Sequence, residues 1–224
     1  MDVPEDLSAE AQAALVERLK QLPGVQAVTS SSDIPGRNFL SGFGELSGPK
    51  GPVSLRVGNQ VGPGFFEFYG VPLLAGRLSA DHRAEQDKAL VLERSAVAAL
   101  GFASPQDAIG RSLRGGQFHE GKDREIVAVV EDIRLESTRE PHQPTVFEPM
   151  AGPLRSLSLK TSDPAATRAA LVPLLQQWAD DDSVEVMSVA QQQARQYEQD
   201  RRLGGLIAVA AGVALLMACI GIYA

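Results

Sequence analysis

The chain has 224 residues, 44% of them apolar and 5% aromatic, with 21 Gly, 14 Pro, one Cys and a formal net charge of −7. That length admits one large domain or two small ones. The acidic balance argues against nucleic acid, whose phosphates need clustered Lys and Arg, and against a face resting on anionic lipid.

Asp6 and Ser8 offer caps to a helix over residues 9–22, with Ala11, Leu15, Leu19 and Leu22 on one face and Pro23-Gly24 as its stop. Residues 24–31 alternate as a strand. Residues 30–52 are dense in turn formers and hold no helical period. A strand over 53–61 follows, and then Gly62-Pro63-Gly64 opens a short turn carrying Phe65, Phe66, Phe68 and Tyr69. Four aromatics within five residues read as a local core plug rather than a binding box, since no partner groups surround them.

Residues 87–102 read as strand then helix, ending at Gly101, and 104–114 as a short turn and a strand start. The clearest strand is 124–134, where Ile126-Val-Ala-Val-Val130 implies burial on both faces. Short strands over 144–150 and 156–162 follow. Asp163 then caps a helix with Pro164 at its first position. Its stripe is Leu171, Leu174, Leu175 and Trp178, and Pro173 is predicted to kink it or split off its first turns. A strand over 183–189 comes next. Ser188 with Gln191 forms a capping box for a helix that continues without Pro or Gly up to Gly204-Gly205.

Residues 203–224, LGGLIAVAAGVALLMACIGIYA, contain no charged or amide side chain. As a helix they span about 30 Å, the thickness of a bilayer core. Arg201 and Arg202 precede the run and Tyr223 lies near its end, flanks that suit head groups and interface. Leu206, Val209, Val213, Leu216 and Ile220 are the predicted membrane-spanning residues. Gly204 and Gly205 are a hinge at the membrane surface or a close-packing site between helices. The arginines lie on the side read as external, against the positive-inside tendency, which weakens for large translocated domains. The only cysteine, Cys219, lies in this run, which leaves the polar part without disulfide, thiolate or cysteine metal site. The N-terminus is acidic and lacks a signal-peptide pattern. The sequence therefore predicts either a tail-anchored protein or a piece of a longer membrane protein.

Resemblance between the two ends, around a strand-rich, glycine-rich middle, predicts an α+β fold: a βαβ-type subdomain interrupted by an inserted β-rich subdomain. Residues 1–36 and 153–188 form the discontinuous subdomain and 37–152 the insertion. Residues 189–202 form a stalk helix, and 203–224 a C-terminal transmembrane helix.

Catalytic signals are weak. Gly116 to Lys122 matches seven positions of a phosphate-binding loop, but Asp123 stands where Ser or Thr must hold magnesium, and a strand follows where a helix is required. These residues read as a hairpin turn. His82, His119 and His142 lie far apart with no metal-ligand spacing and read as surface or loop histidines. Asp180-Asp181-Asp182 lacks the alternating ligands of a calcium loop. No GxSxG elbow is present, and paired carboxylates cannot be placed across a cleft from sequence. No catalytic, cofactor-binding or metal residue is assigned, and the chain is read as non-enzymatic.

The collinear order of several segments resembles the periplasmic core domain of MacB/FtsX-type ABC transporter permeases. The segments are Tyr69-Gly-Val-Pro-Leu-Leu-Ala-Gly-Arg77, Leu90 to Gly101, Ala108-Ile-Gly-Arg-Ser-Leu113, Ile126 to Arg134, and Arg201-Arg-Leu203 with Cys219-Ile-Gly-Ile-Tyr223. Two positions depart from that pattern: Ala128, where Gly is usual, and Glu93, where Asn is usual. The resemblance implies a porter-like character for the discontinuous α+β subdomain, and a bacterial inner-membrane protein with an extracytoplasmic soluble part, working as a dimer with a second permease copy. It implies ATP bound by a separate or fused cytoplasmic ABC ATPase, with no cofactor in this chain, and admits a periplasmic adaptor. Motion of the membrane helices would drive export or extraction of a peptide, lipoprotein or amphipathic drug. The competing reading is a membrane-tethered or tail-anchored hydrolase or ligand-binding protein.

Overall fold

The computed structural model describes residues 8–32, 34, 42–82, 88–114, 123–133, 141–152 and 154–175. Helix α1 (Ala9–Lys20) starts where the Ser8 Oγ accepts the Ala11 N–H at 3.2 Å. Leu15 and Leu19, one turn apart, are both buried. Gly24, at a φ of 82°, turns the chain into β1 (Val25–Ser31). The antiparallel partner of β1 is the distant β9 (Ser156–Thr161), with Val28 opposite Leu159. Helix α5 (Pro164–Leu175) follows, its first N–H groups at Ala165 and Ala166 donating to the Asp163 Oδ1. Leu15, Leu19, Leu157, Leu171 and Leu175 close one core between α1, α5 and these two strands. Of the two outcomes expected at Pro173, a split is not seen: α5 runs through Pro173 to Leu175 with its first turns attached.

An element the sequence reading did not assign is β2 (Gly42–Gly48), a strand inside the turn-rich stretch. It forms a hairpin with β3 (Gly51–Val61), in register from Gly42 opposite Val57 to Gly48 opposite Gly51. Its glycines are weak strand formers, so the partner strand and the burial of Leu46 decide the outcome. Gly48 is glycine for reasons of space. A Cβ there would lie 2.9 Å from the Leu100 Cβ of the helix above it.

The remaining elements follow the expected order. They are α2 (Phe65–Phe68), β4 (Leu73–Gly76), β5 (Ala89–Glu93), α3 (Arg94–Leu100), α4 (Pro105–Ala108), β6 (Ser112–Arg114), β7 (Asp123–Val130) and β8 (Thr145–Pro149). The strands form a mixed sheet in the order β4-β7-β5-β8-β3-β1-β9, with β2 on β3 and β6 on β7. The pairs β3–β8 and β5–β7 are parallel and the others antiparallel. The fold is α+β.

Strands β5 and β8 are buried along their whole length. On one face Leu90, Leu92, Ile126 and Val146 pack against Val97 and Leu100 of α3. On the other, Val91, Ala128, Val130 and Phe147 pack against Phe65 and Phe66. The predicted aromatic plug is therefore real: Phe65 and Phe66 have ring centroids 6.2 and 5.4 Å from Phe147. The double-sided burial predicted for residues 126–130 holds too, with only Val127 partly open.

Contact between β1 and β3 is slight, a single register pair of Ser31 with Val61. The surrounding junction is polar. The Thr29 Oγ1 donates to the Pro63 carbonyl at 3.1 Å, the Gly62 N–H to the Ser30 carbonyl at 2.8 Å, and the Tyr69 hydroxyl lies 2.9 Å from the Ser158 Oγ.

Candidate functional site

Parallel strands β5 and β7 end on the same edge of the sheet, and β8, antiparallel to β5, begins there. Three chain segments thus converge on the last residue of β5, Glu93, with Val130 as its register partner. Strand alternation places Glu93 on the face of Val91, inside the core, and its side chain is 0% exposed.

Two backbone amides hold its carboxylate: the Ile133 N–H donates to Oε1 at 2.9 Å and the Thr145 N–H to Oε2 at 3.0 Å. The His142 Nε2 lies 3.0 Å from the same Oε2. Burial pushes the Glu93 carboxyl up to about 8 against the two amide bonds, and the charge of Asp132 adds to the rise. In neutral solution the Glu93 carboxyl therefore keeps its proton in most molecules.

The second carboxylate is Asp132, two residues beyond β7. Its Oδ1 accepts the Ser95 N–H at 2.9 Å and lies 3.8 Å from the His142 Nε2. Glu93 occupies the cap position of α3 but makes no side-chain cap bond, so Asp132 caps that helix from another strand. The Ser95 Oγ lies 3.2 Å from the His142 Nε2. Arg94 pairs with Glu131 at the rim, which offsets one positive charge with one negative. Glu93, Asp132 and His142 present ligand atoms all within 4.8 Å of one another, a set able to hold a metal ion.

This cluster was missed in sequence. Glu93 stands out there only as a departure from an Asn pattern, and His142 reads as an isolated loop residue. Contacts across 40 and 52 residues build the site, beyond the reach of any local spacing. His82 lies in a loop, one of the two expected placements, yet is 3% exposed, with its Nδ1 3.2 Å from the Val61 carbonyl oxygen. Arg114 opposite Asp123 closes the register of antiparallel β6 and β7, as a hairpin requires. The connecting residues 115–122, with His119, lie outside the described residues. So do Trp178, the acidic triplet, the 183–189 strand, the stalk, Gly204, Gly205, Leu206, Val209, Val213, Leu216 and Ile220. Among the described residues, no helix is long and apolar enough to cross a membrane.

A mixed α+β sheet with helices on both faces of its central strands, and an acidic cluster around the buried Glu93 at one edge, defines the architecture. No family model and no curated protein sequence matches the chain. Solved structures do. The periplasmic region of MacB from Actinobacillus actinomycetemcomitans superposes with a TM-score of 0.50 at 19% identity, over 74% of this chain and 72% of that one. A domain assigned to a permease protein of Porphyromonas gingivalis gives 0.54 at 16%, over 81% and 80%. The extracellular domain of the ABC-type transporter YknZ from Gram-positive bacteria gives 0.54 at 14%, over 84% and 97%. The fold is that of a MacB/FtsX-like periplasmic domain.

Proposed function

We propose that the chain is the extracytoplasmic part of an ABC transporter permease of the MacB/FtsX type, a non-enzymatic lever that couples ATP-driven movement to export or extraction of a substrate. The likeness in fold to three extracytoplasmic domains of this transporter class carries the reading. The apolar run 203–224 supports it, since it supplies the membrane helix that such a lever needs.

In this reading α1, β1, β9 and α5 belong to the porter-like subdomain of 1–36 and 153–188, and the elements from β2 to β8 to the insertion of 37–152. The polar junction between the two supports that division. A cytoplasmic ATPase binds ATP, and a second permease copy completes the dimer in the bacterial inner membrane. An adaptor outside the membrane is a further partner. Closure of the ATPase shifts the membrane helix, and the stalk of 189–202 carries the shift into the domain about the hinge at Gly204 and Gly205.

The test is the double substitution Gly204→Leu, Gly205→Leu in the membrane-embedded transporter. Substrate movement is expected to fall severalfold while ATP hydrolysis continues. Unaltered transport contradicts the hinge, and recovery of the chain from cells without membrane or ATPase contradicts the transporter role.

A further inference from the structure

We propose that Glu93, Asp132 and His142 form a binding site for a divalent transition-metal ion of the Zn2+ type, with the Ser95 hydroxyl or a water as fourth ligand. Metal–ligand bonds of about 2.0–2.2 Å in tetrahedral geometry place neighbouring ligand atoms roughly 3.3–3.5 Å apart. The His142 Nε2 lies 3.0 Å from the Glu93 Oε2, 3.2 Å from the Ser95 Oγ and 3.8 Å from the Asp132 Oδ1, values that bracket that separation. These three oxygens converge on one ring nitrogen. Each carboxylate oxygen accepts one backbone N–H and keeps a further lone pair that an ion among the four groups can take.

The ligands are held as metal ligands are held. Backbone amides of Ile133 and Thr145 fix the Glu93 carboxylate, and the Ser95 amide fixes Asp132, each from a different segment. Such outer contacts orient ligating groups before an ion arrives. Charge is compatible: an ion displaces the Glu93 proton, the two carboxylates then carry −2, Arg94 is matched by Glu131, and the divalent cation neutralises the remainder. Ligand type sets the class. Calcium takes six to eight oxygens and magnesium keeps an octahedral, water-rich shell, while one imidazole with two carboxylates suits a borderline transition metal. Access lies on the side of Asp132 and His142, whose side chains are 35% and 27% exposed. The ion would clasp the ends of β5 and β7 to the start of β8, and so tie α3 to the loop ahead of β8.

Calorimetric titration of the untagged full chain, stripped with EDTA and dialysed, tests this with ZnCl2, MgCl2 and CaCl2 in separate arms. One equivalent of Zn2+ is expected to bind at micromolar concentration. His142→Gln and Asp132→Asn should each weaken binding about 10–100-fold, and Glu45→Gln, an exposed carboxylate on β2, should leave it unchanged. The site is overturned by absence of stoichiometric Zn2+ binding, by binding that survives both substitutions, or by equal affinity for Mg2+ or Ca2+. Should either variant fail to fold, Co2+ added to the parent chain decides alone. Intense visible bands mark four-coordinate nitrogen and oxygen ligation, and their absence rejects the site.

Discussion

Two regions of one sheet are built on opposite plans. Around β5, β7 and β8 apolar layers cover both faces, and the sheet edge carries a buried carboxylate. Around β1 and β9 a single leucine core lies under α1 and α5. The side chain of Gln12 in α1 acts there as a strand substitute: its Nε2 donates to the Leu154 carbonyl at 2.6 Å, and its Oε1 accepts the Leu154 N–H at 2.9 Å. Between the regions lie hydroxyl and amide contacts instead of a shared apolar core. A polar junction can be rearranged without exposing hydrocarbon to water. A two-faced core cannot, since shifting any layer opens both sides.

The strongest way to break the contrast is Phe147→Ala in the two-faced core. The side chain is fully buried between the aromatic plug and the sheet, so the loss should be about 4 kcal/mol. Leu19→Ala in the one-faced core should cost somewhat less, about 3 kcal/mol. Urea denaturation gives both values. Native-state hydrogen exchange then sharpens the comparison: Leu19→Ala should lower protection in β1 and β9 more than in β5 and β7. Equal losses across all four strands would mean that the polar junction transmits as well as a core does.

Glu93 supplies the next test. Its carboxyl is ordinary, near 4.5, in the unfolded chain and about 8 in the fold, so the native state holds that proton more tightly. The associated stability is complete below about pH 4.5 and is lost as pH rises through 8. The loss should be on the order of 2–3 kcal/mol, because solvent on the half-open side of Asp132 and His142 screens part of the buried charge. Urea midpoints across pH in EDTA should fall for the parent relative to Glu93→Gln, and parallel curves would contradict the burial argument. A smaller effect is expected at the junction: Tyr69→Phe removes the bond to Ser158 and should cost about 1 kcal/mol.

What sequence disclosed follows the same division. Strands β5 and β7 were legible because apolar runs covered on both faces leave a continuous signature, and α1 and α5 because Ser8 and Asp163 cap them locally. Strand β2 was not legible, because Gly48 reflects close approach to Leu100 and the strand depends on pairing with β3, neither a local property. The acidic cluster was hidden for a stronger reason. Glu93 at the end of an apolar strand reads as the first polar residue after the core, and only the return of residues 132 and 142 to the same edge encloses it.

The account stands on the described domain lying outside the cytoplasm. Phe43, 56% exposed on β2, offers a neutral position for a reporter thiol. With Phe43→Cys in a Cys219→Ser background, a membrane-impermeant maleimide applied to intact spheroplasts should label the chain as fully as it does after lysis. Labelling only after lysis would place the domain in the cytoplasm and contradict the account.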